Sequence, residues 1–197
     1  MDDLKKLNYD ELKNYKLTKF EFWDYSKEGN DSIRNIAFRL YSSDGKKSNV
    51  TCSRYWGING PESYNSNLTS FSLEKVTKIE VYYGTNPSYA PNGPYVGCLV
   101  FYENNNIIGV PYARHIIGDN YNVGNIQNFI NACPGNHFKC ETYERQPGYN
   151  LIGFEYGEMT WHPSYGSYVL PFIKPIFWNP DSDNLNDVIQ QQEEFKE

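Results

Sequence analysis

Glu158, Trp161 and His162 lie within one five-residue segment, EMTWH, and they are the side chains whose chemistry suggests a binding site. A carboxylate accepts hydrogen bonds from two hydroxyl groups at once, and an indole offers a flat π face to the apolar side of a ligand ring. Gly157 precedes the segment and would let a ligand approach backbone N–H groups, and Thr160 adds a hydroxyl. This set suits a polar, hydroxyl-bearing ligand that also has an apolar face.

The same segment also has a purely structural interpretation. Aromatic side chains most often fill cores, so Trp161 could close one end of the domain while Pro163 stiffens a turn. Both interpretations are compatible with the sequence. We therefore treat residues 157–162 as a candidate site.

Catalysis is not expected. It needs a nucleophile with its base, two converging carboxylates, or a metal with an open position. The chain has three histidines, at 115, 137 and 162, and none lies in a recognisable catalytic motif. Glu155 and Glu158 are close in sequence, but strand alternation would aim them at different faces. We expect a protein that is not an enzyme and uses no cofactor.

The segment CPGNHFKC brings Cys133, His137 and Cys140 together. Three alternatives remain open: a disulfide between Cys133 and Cys140, a zinc corner completed by another ligand, or reduced thiols. A second Cys-x-x-Cys is missing, so we commit to no metal site. Four cysteines are too few for a disulfide scaffold of 197 residues.

Charge and hydropathy restrict the partners. The net charge is −6, and residues 181–197 contain six acidic side chains against one lysine. The remainder is close to neutral and has no basic face for phosphates, so no nucleic acid is expected. No run approaches the ~18 apolar residues of a membrane span, and no secretory leader is recognised, which favours a soluble, cytoplasmic protein without membrane insertion.

Most of the chain has the two-residue apolar period of β-strands. The period is found in KFEFWDY, IRNIAFRLY, KIEVYYG, VGCLVFYE, YNLIGFEY and SYVLPFIKPIFW, separated by turn clusters rich in Gly, Asn, Ser and Pro. Many short strands with such spacers predict an all-β domain, which we place at residues 17–179.

The two ends and one internal stretch differ from this pattern. Residues 1–16 predict a short amphipathic helical extension, and residues 180–197 predict an acidic helix or tail. Either end could join the chain to a copy of itself or to another protein. Residues 118–148 predict an insertion that could form a rim over the candidate site.

Four segments, taken in order, resemble the jacalin-related lectins. These are FWDYSKEGNDSIRNIAFRLYSSDGK, FSLEKVTKIEVYYG, VGCLVFYENNNIIGVPY and LIGFEYGEMTWHPSYGSYVLPF, and together they cover about 18–178. The resemblance implies a jacalin-like β-prism I fold, in which three four-stranded Greek-key sheets form a prism. It also implies a monosaccharide site between the first strand–strand loop and the last hairpin.

The sequence departs from the family at that site. Met159 stands where the family has a glycine, Pro163 stands where it has the sugar-binding Asp, and the first loop lacks the family's Gly-Gly. The contacts by which the family binds mannose or galactose are therefore not expected in this chain. The expectation is a lectin-like domain with a divergent site for a glycan or glycoprotein, made by Tyr112 on a neighbouring loop together with 157–162. The alternative is a protein-interaction module on the same fold that no longer binds sugar.

Overall fold

A computed structural model describes residues 13–23, 37–51, 68–85, 93–111, 130, 137–157, 160–162 and 167–181. The strands in these residues are β1 Leu17–Trp23, β2 Ala37–Ser42, β3 Lys47–Thr51, β4 Leu68–Ser72, β5 Lys78–Gly84, β6 Tyr95–Glu103, β7 Asn106–Gly109, β8 Phe138–Glu144, β9 Asn150–Tyr156, β10 Thr160–His162, β11 Ser167–Val169 and β12 Ile173–Trp178. Every observed pairing between them is antiparallel. The predicted all-β class is confirmed.

The strands fall into three consecutive sets of four, which we call the first (β1–β4), second (β5–β8) and third (β9–β12) sets. The first set forms a sheet in the order β3-β2-β1-β4, and the second forms a sheet in the order β7-β6-β5-β8. In both sheets the fourth strand returns to lie beside the first, which is the Greek-key arrangement. In the third set β9 pairs with β12, and β10 pairs with β11.

The opening strands of the three sets are related in sequence. They read LTKFEFW, VTKIEVY and LIGFEYG, from residues 17, 76 and 151. The fourth position holds Phe20, Ile79 and Phe154, which are almost completely buried, at 0, 0 and 1% exposure. Since successive side chains on a strand point to opposite faces, the glutamates at the fifth position, 21, 80 and 155, lie on the face away from these core residues.

The core brings the three sets together through phenylalanine rings. The ring centroids of Phe20 on β1 and Phe101 on β6 are 4.9 Å apart, and Phe154 on β9 lies 6.3 Å from each. Two further rings, Phe38 and Phe71, stack on Phe20 at 4.8 and 5.3 Å. Aromatic pairs at these distances add to the stabilisation from buried apolar area.

Polar contacts also join the second and third sets. The buried Tyr83 hydroxyl on β5 donates to the carbonyl of Ile173 (3.0 Å) and accepts from the N–H of the same residue (3.3 Å). The N–H of Val96 donates to the carbonyl of Leu170 at 2.8 Å. A buried phenol that is satisfied in this way fixes β12 relative to β5.

The other expectations on domain organisation lie largely outside the described residues. Residues 1–12, 112–129, 131–136 and 182–197 are not described, so both terminal helices and most of the 118–148 stretch stay predictions. Within that stretch, 138–144 form β8, which pairs with β5 along its full length. Among the described residues, no helix is long and apolar enough to cross a membrane.

Candidate functional site

The structure places the predicted site residues only in part. Thr160, Trp161 and His162 form β10, which pairs with β11 so that Trp161 lies opposite Tyr168. The backbone of the two strands is described, whereas their side chains, including the Trp161 indole, and residues 163–166 are not. Tyr112 and Glu158 lie outside the described residues. Their roles stay predictions.

Gly157 has a packing reason to be glycine. Its N–H donates to the carbonyl of Phe172 at 3.3 Å, which continues the contact between β9 and the chain entering β12. A Cβ atom at this position would lie 2.6 Å from Cγ of Pro171 and 2.8 Å from Cε1 of Phe172. Gly157 is therefore required by close packing, whether or not its backbone contacts a ligand.

No disulfide joins the two described cysteines to each other. Cys98 is buried on β6, and Cys140 is on β8. The two are the register partners of Tyr82 on either side of β5, so they lie two strand spacings, about 10 Å, apart. Burial raises the pKa of the Cys140 thiol. Cys133 is not described, so the disulfide between Cys133 and Cys140 stays a prediction.

Metal ligation has no support among the described residues. They contain no group of three or more His, Cys, Asp or Glu side chains that could hold a metal ion.

In the first set the glutamate of the opening strand, Glu21, has hydrogen-bond and ion-pair partners within the chain. Glu21 Oε1 accepts from the Tyr41 hydroxyl at 3.2 Å and from Nη1 of the buried Arg39 at 3.4 Å. The Lys19 ammonium lies 4.0 Å from Glu21 Oε2 and 3.7 Å from the centroid of the Tyr41 ring. This carboxylate therefore has a lysine, an arginine and a tyrosine as partners.

The second set repeats this network closely. Glu80 Oε2 accepts from the hydroxyls of Tyr82 and Tyr102, each at 2.9 Å. The Lys78 ammonium lies 3.2 Å from Glu80 Oε1 and 4.0 Å from the centroid of the Tyr102 ring. Both oxygens of Glu80 therefore have partners, and a lysine two residues earlier on the strand supplies the countercharge, as in the first set.

The third set breaks the pattern at Glu155. The lysine position is occupied by Gly153, which has no side chain to offer. Glu155 Oε1 is buried and has no hydrogen-bond partner among the described residues. Burial raises the pKa of the Glu155 carboxyl, and the positive charge of Lys174 offsets this only in part.

Lys174 stands directly across from Glu155 in the β12–β9 ladder and is exposed. The salt bridges found among the described residues do not include this pair. A carboxylate and an ammonium thus lie on adjacent strands, each with unused hydrogen-bonding capacity.

A second carboxylate, Glu141 on β8, also interacts with the charge of Lys174, but each of its oxygens has a hydrogen-bond partner. Its Oε1 lies 2.5 Å from the Lys139 ammonium, and its Oε2 accepts from the Tyr143 hydroxyl at 2.6 Å. The bond from Lys139, followed by that from Tyr143, lowers the pKa of Glu141. The pKa of Glu141 is therefore lowered and that of Glu155 raised, and of the two carboxyls only Glu155 has a buried oxygen without a hydrogen-bond partner among the described residues.

Sequence reasoning considered Glu155 only as a catalytic partner of Glu158. The signal that would have singled it out is the pattern Lys-x-Glu in the opening strands, which is present at 19–21 and 78–80 and becomes Gly-x-Glu at 153–155. The pattern gains meaning from the sheets, because they show that the three segments open equivalent sets of strands.

Comparison with known proteins adds no assignment: no protein-family model matches the chain, and no curated protein matches it.

Proposed function

We propose that this chain is a non-catalytic carbohydrate-binding domain with a jacalin-like β-prism fold and a divergent sugar site. The observation that carries the proposal is the strand order, since two consecutive sets have the same Greek-key pairing. In the third set the β9–β12 and β10–β11 pairings are those that the same order requires. Addition of β10 to β9 would give β12-β9-β10-β11, the third sheet of a prism.

Contacts between the sets support this arrangement. Each set contacts the other two, through β1 with β9, β5 with β12, and β4 with β7. The three phenylalanines at 20, 101 and 154 meet where a prism has its central core. Three mutually packed sets of strands agree with the family resemblance of the four sequence segments.

The sugar would bind at the hairpin that begins after β9. In this proposal the Trp161 indole stacks on the apolar face of a pyranose, and Glu158 accepts its hydroxyl hydrogens, with Tyr112, Thr160 and His162 around them. A shallow polar site gains little after desolvation, so a single site should have an affinity near ~1 mM. Useful avidity would then come from several sites acting together.

A glycan array followed by calorimetric titration tests the proposal. Wild type should bind a subset of glycans, Trp161→Ala should lose that binding, and Trp161→Tyr should keep much of it because a phenol ring also stacks. Tyr149→Ala is the matched control, because it removes an aromatic ring at the other end of β9 and should leave binding unchanged. Equal binding by wild type and Trp161→Ala would remove the proposed site.

Absence of binding to every glycan by a folded wild type would remove the carbohydrate function itself. It would favour the alternative, a protein-interaction module. That alternative predicts a mass in solution above the monomer which falls when residues 181–197 are deleted. A monomer in both forms counts against it.

A further inference from the structure

We propose that Glu155 and Lys174 form a second subsite, at which a hydroxyl pair of an extended glycan donates to the carboxylate and accepts from the ammonium. The inference rests on the proposed function and deepens it, because it names the ligand class as an oligosaccharide longer than one sugar.

The first two sets show which groups satisfy this glutamate. Glu21 and Glu80 both accept from tyrosine hydroxyls and both have a lysine close to the carboxylate. At Glu155 the lysine two residues earlier is replaced by Gly153, the only described ammonium acting on the carboxyl is that of Lys174, and Oε1 is buried without a hydrogen-bond partner among the described residues. A buried acceptor without a donor is costly, and in this proposal a ligand supplies the donor.

A sugar hydroxyl has the chemistry that is missing. It donates one hydrogen bond and accepts others, as the tyrosine hydroxyls do at Glu21 and Glu80. A vicinal pair of hydroxyls can therefore bind a carboxylate and an ammonium together. Glu155 and Lys174 are opposed in the ladder, which puts their Cβ atoms about 5 Å apart, and the two side chains are not paired with each other.

The ligand can reach the carboxylate although Oε1 is buried. Glu155 as a whole is only partly buried. Rotation about the last torsion of a glutamate is soft and exchanges its two oxygens, so either can turn outward to a ligand. No backbone change is needed for this step.

The position of Glu155 sets the length of the ligand. Glu155 lies two residues before Gly157, or about 7 Å along the strand. A sugar ring held by the hairpin would therefore place the next ring of the same glycan near Glu155 and Lys174. The subsite predicts that disaccharides and trisaccharides bind more tightly than the matching monosaccharide.

The decisive experiment titrates wild type and four variants with a di- or trisaccharide chosen from the array and with its terminal monosaccharide. Glu155→Gln and Lys174→Met should each weaken oligosaccharide binding about tenfold, the loss expected for a hydrogen bond to a charged group, and should change monosaccharide binding little. Gly153→Lys should have the same effect, because it supplies an ammonium from the chain itself.

Glu80→Gln is the matched control, since it removes the equivalent carboxylate of the second set and should leave both affinities unchanged once folding is verified by circular dichroism. If Trp161→Ala abolishes binding while Glu155→Gln and Gly153→Lys leave oligosaccharide affinity at the wild-type value, the subsite is wrong and the lectin function stands. If no glycan binds to wild type, both proposals fall.

Discussion

The contrast between Glu80 and Glu155 gives a sharp prediction about stability. Both residues occupy the fifth position of an opening strand, so the same substitution, Glu→Gln, tests two environments of one fold. Glu80→Gln weakens two hydrogen bonds from tyrosine hydroxyls and leaves the Lys78 ammonium without its partner. At Glu155 the substitution breaks no hydrogen bond to Oε1 among the described residues.

The magnitudes follow from these partners. A hydrogen bond to a charged group contributes roughly 1.5–3 kcal/mol, and a glutamine side chain retains part of each bond through its own oxygen. We therefore expect Glu80→Gln to lower the free energy of unfolding by about 2 kcal/mol. Glu155→Gln should leave that free energy unchanged or raise it, because a neutral amide is buried more cheaply than an ionised carboxylate.

Urea denaturation at pH 7 measures both variants. A loss of about 2 kcal/mol in the free energy of unfolding should lower the urea midpoint without changing the slope m. In a thermal melt of a domain of this size, the same loss lowers Tm by roughly 4–8 °C. Glu21→Gln, in the first set, should behave like Glu80→Gln. The reasoning is refuted if Glu155→Gln loses as much stability as Glu80→Gln, since the three glutamates would then be equivalent.

Three further predictions concern pH, the contact between sets, and the core. The pKa of Glu155 lies above its ordinary value of 4.5 because of burial, so wild type should lose stability relative to Glu155→Gln as the pH rises above 4.5. The hydrogen bond from Lys139 holds the pKa of Glu141 below 4.5, so the stability of wild type relative to Glu141→Gln should decrease as the pH falls below that value. Urea midpoints measured from pH 3 to 7 check both trends. Tyr83→Phe should cost about 1–3 kcal/mol, because it removes a buried hydroxyl that bonds to the backbone of β12, and urea midpoints that match wild type would contradict this. Phe154→Ala should cost about 3–5 kcal/mol, because it empties the place where the three sets meet, and a loss below about 1 kcal/mol in the same assay would argue against that core.

The strands could be predicted from the sequence because one face of each is buried. In KIEVYYG the alternation puts Ile79 and Val81 in the core and Glu80 on the other face, as the structure has them. The alternation by itself does not give the pairing order, because residues far apart in sequence form it. An example is β5, which pairs with β8 across more than fifty residues.

The candidate site at residues 157–162 stays a prediction. Sequence reasoning favours residues with strong chemistry of their own, such as Trp161 and His162, and the described residues leave those side chains untested. Glu155 has ordinary chemistry and becomes distinctive only through what surrounds it. Its environment depends on Gly153, on Lys174 across the ladder, and on burial, and none of these can be seen as one site before the strands are paired.

The repeat of the opening strand within one chain makes the difference between Glu155 and its equivalents, Glu21 and Glu80, informative. Two sets have a similar network, and the features that they share at that position are an acceptor, a hydroxyl donor and an ammonium. A third set that keeps the acceptor but lacks the lysine breaks a rule that this same chain obeys twice, and such local violations concentrate at functional sites. On the proposal that Glu155 and Lys174 bind a ligand, we expect variation in ligand specificity to concentrate around residues 153–157 and Lys174 and to spare Glu21 and Glu80, whose carboxylates have partners within the chain.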